Sequence, residues 1–175
     1  VVKQLNEKGF NVTVDHLGEN TDNIDDAKQA TQEVINLLDA IQENTVNANV
    51  SIKLTQLGLS IDKNECRSNL ERILKRAEET NNFIRIDMED STITEVTLEI
   101  LNGARPTYSN VGTVIQSYLY RSKRDVIQLM NDCITIRLVK GAYNETKEVA
   151  FPKKNDVDSN FDLLTKICLE KTSGC

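Results

Sequence analysis

Tryptophan is absent from this sequence, histidine occurs once, and only two prolines and seven glycines punctuate its 175 residues. The four cysteines, Cys66, Cys133, Cys168 and Cys175, are sparse and far apart, which excludes a disulfide scaffold. No C-x-x-C pair and no zinc-type spacing surrounds His16. Positive charge is also short, with 21 Lys and Arg against 27 Asp and Glu and a formal net charge of −6. Without surplus cations to displace counterions, a nucleic-acid backbone is excluded as a partner. No apolar run approaches the roughly 18 residues that a spanning helix needs, so no transmembrane segment is expected. No secretory signal is visible either, and a reducing, cytoplasmic setting is the default expectation.

What is present is ample for a packed core. Apolar residues make up 39% of the chain, too many for a disordered segment, and the length fits one domain. Yet the chain opens at Val1 without Met and stops on Lys171-Thr172-Ser173-Gly174-Cys175. It reads as a piece of something longer.

Two patterns alternate along it. Short runs rich in β-branched residues occupy 10–14, 50–54, 83–86, 112–115 and 134–139. Helical spacing fills the intervals. Ala27, Ala30, Val34, Leu37, Leu38 and Ile41 form one stripe; Cys66, Leu70, Ile73, Leu74 and Ala77 form a second, opposite an exposed Glu71, Lys75 and Glu78 series. Cys66 and Cys168 sit on such stripes and read as small buried hydrophobes. Shorter helices are predicted over 91–101, 122–130 and 158–169. The first three helices have start signals in Asp25 or Asp26, then Asp62 or Asn64, then Ser91. Lys75, Arg76, Glu78 and Glu79 read as a solvated face.

This is β-α repeated five times. Strand runs that are apolar on both faces and joined by helices imply parallel strands, either in a doubly wound open sheet or in a (β/α)8 barrel. No glycine-rich phosphate loop follows the first strand, which counts against the nucleotide-binding open sheets. Polar residues cluster where the strands end, which is where barrel enzymes carry their chemistry.

Those ends are Asp15-His16-Leu17-Gly18-Glu19, Ile52-Lys53-Leu54, Arg85-Ile86-Asp87-Met88-Glu89, Val114-Ile115-Gln116-Ser117-Tyr118 and Arg137-Leu138-Val139-Lys140-Gly141-Ala142-Tyr143. Period two puts Arg85 with Asp87 on one face, Arg137 with Val139, and Leu138 with Lys140. A charged side chain among Ile and Leu is costly to bury unless it is paired or used. Lys53, Asp87 and Arg137 all stand in that position. Three chemistries are open at this point. Lys53 could form a Schiff base; the Lys and Arg residues could hold anions, with Asp87 orienting them; or His16, Asp87 and Glu89 could bind a metal.

Taken together, the five strand-end blocks resemble proline dehydrogenase, a flavoenzyme built on a (β/α)8 barrel. The resemblance runs from about Asn11 to about Asn160, and it is nearer to the single-function bacterial enzymes than to the long fusions with a second dehydrogenase. It implies oxidation of L-proline to 1-pyrroline-5-carboxylate by hydride transfer to FAD, with electrons passed to a membrane quinone. The protein would then be cytoplasmic and peripheral at the inner face of the plasma membrane.

By the same resemblance, Lys53 pairs with the proline carboxylate. Asp87 and Arg137 form the catalytic pair, with the guanidinium beside the flavin, where it stabilises charge gained on reduction. Met88, Gln116, Val139, Lys140, Gly141 and Ala142 contact FAD, and the missing Cβ of Gly141 lets backbone approach the cofactor. Tyr143, with Ala142, shapes the proline pocket, and Glu19 gates it. The Schiff-base role for Lys53 becomes secondary.

Two departures stand out. Asn144 replaces an aromatic common after the Gly-Ala-Tyr run. More seriously, such a barrel needs eight βα units and about 250 residues, whereas this chain carries five. The expectation is that residues 1–175 form part of a catalytic barrel and are inactive alone. The alternative is a non-catalytic short product, or a chain that needs a partner to complete the barrel.

Overall fold

The computed structural model describes residues 1–16 and 21–172. After a short first helix α1 (Val2–Glu7), which the hydrophobic pattern does not signal, strands and helices alternate. They are β1 (Val12–Asp15), α2 (Ile24–Glu43), β2 (Ala48–Ile52), α3 (Lys63–Glu79), β3 (Ile84–Ile86), α4 (Thr94–Ala104), β4 (Val111–Gln116), α5 (Ser122–Asn131), β5 (Ile136–Val139) and α6 (Lys154–Thr172). The strands follow the sheet order β1-β2-β3-β4-β5. The pairs β1–β2, β2–β3 and β4–β5 are parallel, as the repeated β-α pattern requires. The chain divides into two compact units, Val1–Asp87 with Ile100–Val111, and Met88–Glu99 with the residues from Gly112 onward.

In the first unit the hydrophobic layer lies between strands and helices. Val50, Ile52, Ile84 and Ile86 are fully buried, as are Ala27, Leu38, Cys66, Ile73, Leu74 and Ala77 on α2 and α3. Each fully buried Leu or Ile contributes about 1.5–3 kcal/mol. Asp62 caps α3, its carboxylate accepting the Asn64 and Glu65 amides at 2.7 and 3.3 Å. The cap of α2 is Asn23, not Asp25 or Asp26. Its extended backbone lets its side chain accept the Asp26 amide at 2.9 Å. Arg76 is not merely solvated: it reaches Asp39 on α2 at 2.5 Å and Glu79 at 2.9 Å, and those carboxylates push its guanidinium pKa up.

The other face of β1–β3 corrects the expectation of strands apolar on both sides. Thr13, Asp15, Asn49, Ser51 and Arg85 alternate with aliphatics that are half-buried in β1 and buried in β2 and β3, and Asp87 follows them. Thr13 stands in register with Asn49, and Ser51 with both Asp15 and Arg85. Only β4 is buried at every position.

In the second unit α6 begins at Lys154, four residues earlier than its periodicity suggests. Lys154 pairs with Asp158 at 2.5 Å, a contact that stabilises this first turn. The Cys168 thiol is half-buried, which pushes its pKa up. Ser91 does not cap α4. Its amide and hydroxyl both donate to Glu145, each at 2.6 Å.

Candidate functional site

In the first unit, polar groups gather at the carboxyl ends of β1, β2 and β3. Lys53 follows β2 directly, and its ammonium lies 3.3 Å from the Asp15 carboxylate at the end of β1. The Lys53 side chain is only 13% exposed, against 33% for Asp15. Asp15 is a residue that the sequence reading did not assign. Its pairing with Lys53 joins adjacent strand ends, a juxtaposition that becomes visible only when register is known. Just beyond Lys53, Gln56 is buried and doubly engaged. Its oxygen accepts the Lys53 amide at 3.3 Å, and its nitrogen donates to the His16 carbonyl at 2.7 Å. Asp87 is half-buried after β3, and its amide donates to the Ile52 carbonyl at 2.8 Å.

His16 contacts Glu33 on α2 at 2.7 Å. Among the described residues no group of three His, Cys, Asp or Glu side chains could hold a metal ion, so the set His16, Asp87 and Glu89 is not assembled. The loop residue Glu19 lies outside the described residues.

In the second unit, Arg137 and Val139 on β5 stand in register with Val114 and Gln116 on β4. The Gln116 side chain is 3% exposed, and its nitrogen donates to the carbonyls of Met88 and Glu89 at 3.3 and 2.7 Å. These bonds fix the amide at the strand end. Met88 is buried, whereas Arg137 and Tyr143 are half-buried and Ala142 is exposed. Lys140 turns away from the Arg137 face, as period two requires, and its ammonium meets Asp158 of α6 at 2.6 Å, pulling that carboxyl's pKa down. Only the Lys140 backbone is therefore left for the sheet end.

Gly141 has φ +115, a conformation that residues with a Cβ rarely adopt. A Cβ there would stand 2.5–2.6 Å from Cε1 and Cγ of Tyr118. The missing side chain thus makes room for a tyrosine ring, a reason the sequence reading did not foresee. The Tyr118 phenol is 9% exposed, and its pKa is pushed up to about 12, first by burial and then by the nearby Glu145 charge.

Consecutive βα units with polar groups at the carboxyl strand ends define an α/β chain of the (β/α)8-barrel type. Comparison with known structures agrees. Proline utilization A (PutA) from Bdellovibrio bacteriovorus, in a form inactivated by N-propargylglycine, superposes with a TM-score of 0.90 at 25% identity, covering 98% of this chain and 23% of that one. PutA from Bradyrhizobium japonicum, at 19% identity and a TM-score of 0.82, shares the fold.

The chain belongs to the proline dehydrogenase family, whose family model matches residues 1–175. It is 43% identical over 160 residues to proline dehydrogenase 2 of Bacillus subtilis, covering 91% of this chain and 53% of that protein. Against proline dehydrogenase 1 of the same species it is 38% identical over 168 residues, covering 96% and 56%. The chain therefore spans about half the length of the curated relatives it matches. Among the described residues no helix is long and apolar enough to cross a membrane.

Proposed function

We propose that the chain supplies five βα units of an enzyme that oxidises L-proline to 1-pyrroline-5-carboxylate, using FAD and delivering electrons to a membrane quinone. The observation that carries this reading is the set of polar groups at the strand ends: Lys53 and Asp87 just beyond β2 and β3 in the first unit, Gln116 and Arg137 on β4 and β5 in the second. Relatives named proline dehydrogenase support it.

The residues present suit a flavin. A half-buried guanidinium at the end of β5 offers donors to a flat ring system, and an amide held rigidly by two carbonyls stands on the neighbouring strand. Arg137, Met88, Gln116 and the 139–142 backbone would hold the group, which when bound accepts the hydride. Lys53 receives the proline carboxylate as a point charge, sharing its ammonium with Asp15. Asp87 and Arg137 act as the catalytic pair, Tyr143 walls the pocket, and Glu19 gates it. Delivery of electrons to a membrane quinone fits a cytoplasmic protein, peripheral at the inner face of the plasma membrane.

The test is a steady-state assay of the complete open reading frame with proline and an artificial electron acceptor. Proline-dependent dye reduction is expected. Arg137→Met should slow flavin reduction, and Lys53→Ala should mainly raise the proline KM. No proline-dependent reduction refutes the function; an unchanged KM in Lys53→Ala refutes the carboxylate role alone.

A further inference from the structure

Within the second unit, the segment that follows β5 is fastened along the segment that follows β4. The Ser117 amide donates to the Val139 carbonyl at 2.7 Å, and the Tyr118 amide to the Lys140 carbonyl at 3.0 Å. Farther on, the Phe151 amide returns to the Tyr118 carbonyl at 2.8 Å, and the Tyr120 amide donates to the Val149 carbonyl at 3.0 Å. The Tyr120 hydroxyl adds a bond to the Lys147 carbonyl at 2.9 Å, while its ring meets Phe151 edge-on at 4.7 Å. Between these anchors Gly141 meets the Tyr118 ring, and Tyr143 and Glu145 stand near its phenol. Gly141 lies against that ring so closely that no Cβ would fit, and Glu145 holds the far end by its two bonds to Ser91.

We propose that Tyr118 is a positioning residue for the Val139–Tyr143 segment, its ring setting the height at which that backbone stands. The functional consequence rests on the reading above, in which this segment faces flavin and substrate; the positioning itself does not. Ring and hydroxyl can be told apart on geometry. The hydroxyl is buried and, although the Tyr143 backbone lies near it, has no partner in hydrogen-bond geometry among the described residues, so the ring is the firmer contact. The ring is rigid and flat, and it is the surface Gly141 touches. A flexible aliphatic side chain at 118 would leave a gap beneath the turn, and the backbone would settle into it. Displacement on that scale is enough to spoil alignment of reacting groups.

Two substitutions and two readouts test this. Tyr118→Phe keeps the ring; Tyr118→Leu removes it. By hydrogen exchange on the product of the complete open reading frame, Tyr118→Leu should speed exchange across 139–146 by about tenfold, while Tyr118→Phe and the amides of β1–β3 stay near parental rates. In the complete open reading frame, Tyr118→Leu should shift the visible flavin spectrum and lower kcat by about tenfold, and Tyr118→Phe should restore both. Unchanged protection of 139–146 in Tyr118→Leu overturns the proposal. So does damage by Tyr118→Phe equal to that of Tyr118→Leu, since the hydroxyl would then be the active part. If the unsubstituted protein fails to oxidise proline, the functional reading falls, while the exchange comparison still decides the positioning role.

Discussion

Replacing Gly141 with alanine should be among the more damaging single-methyl changes in this chain, and the structure separates the damage into two parts. At φ +115 an L side chain is strained wherever it points, at a cost of about 1–2 kcal/mol. The new Cβ would also fall 2.5–2.6 Å from ring carbons of Tyr118, and overpacking of that kind costs about 1–3 kcal/mol. Gly141→Ala is therefore expected to lose about 2–5 kcal/mol. Tyr118→Ala alone opens a cavity and costs about 3–5 kcal/mol. Combined, the two changes should cost less than their sum by about 1–3 kcal/mol, because without the ring the added methyl has space and only the conformational strain remains. Urea unfolding of the parent, both single variants and the double variant supplies the cycle. Additivity within about 0.5 kcal/mol would show that the methyl and the ring do not meet, and the close approach at Gly141 would have to be abandoned.

Two further outcomes follow from burial. The phenol of Tyr118, pushed up to about 12, titrates above its ordinary value near 10 in the unfolded chain. The folded state holds that proton more tightly, so this stabilisation is complete below pH 10 and lost as pH rises toward 12. Allowing for screening at the ring edge, the loss is about 1–2 kcal/mol. Urea midpoints measured on both sides of pH 10 should fall in the parent and hold in Tyr118→Phe; equal slopes would disprove the assignment. Separately, Leu74→Ala should cost about 2–5 kcal/mol, since Leu74 is wholly buried between α3 and the sheet. Asn49→Ala, on the opposite face of β2, should change stability by less than about 1 kcal/mol, because its buried side-chain oxygen has no partner to lose. Thermal melts of the two variants check the contrast.

Much of this architecture can be read in the sequence because each βα unit is local. Alternating β-branched runs and i, i+4 stripes mark every strand and all but the first helix, and charges interrupting those runs mark the strand ends. What escapes is set by contacts between distant residues. Asp15 gives no local sign of its role, since its partner Lys53 is 38 residues away and the pairing depends on the register of β1 against β2. Ser91 looks like a helix cap, but it is claimed by Glu145, 54 residues later. Asp25 and Asp26 look as good as Asn23 for capping α2, and only backbone dihedrals choose between them. Gly141 reads as a place for close approach, and the group that stands where its Cβ would be is Tyr118, 23 residues earlier and invisible to local pattern.

The polar interior face of β1–β3 divides labour within a single strand. Alternate residues on the helix side, Val50, Ile52, Ile84 and Ile86, are wholly buried and apolar, while Asn49, Ser51, Arg85 and Asp87 between them present polar groups. Mutations on the two sides are thus filtered differently. Helix-side positions drift only among aliphatics of similar volume, whereas positions on the polar face exchange charge, amide and hydroxyl only together with the partners that satisfy them. A strand built this way lets the lining of the sheet be rewritten for a new small molecule one set of partners at a time, with the scaffold left standing throughout.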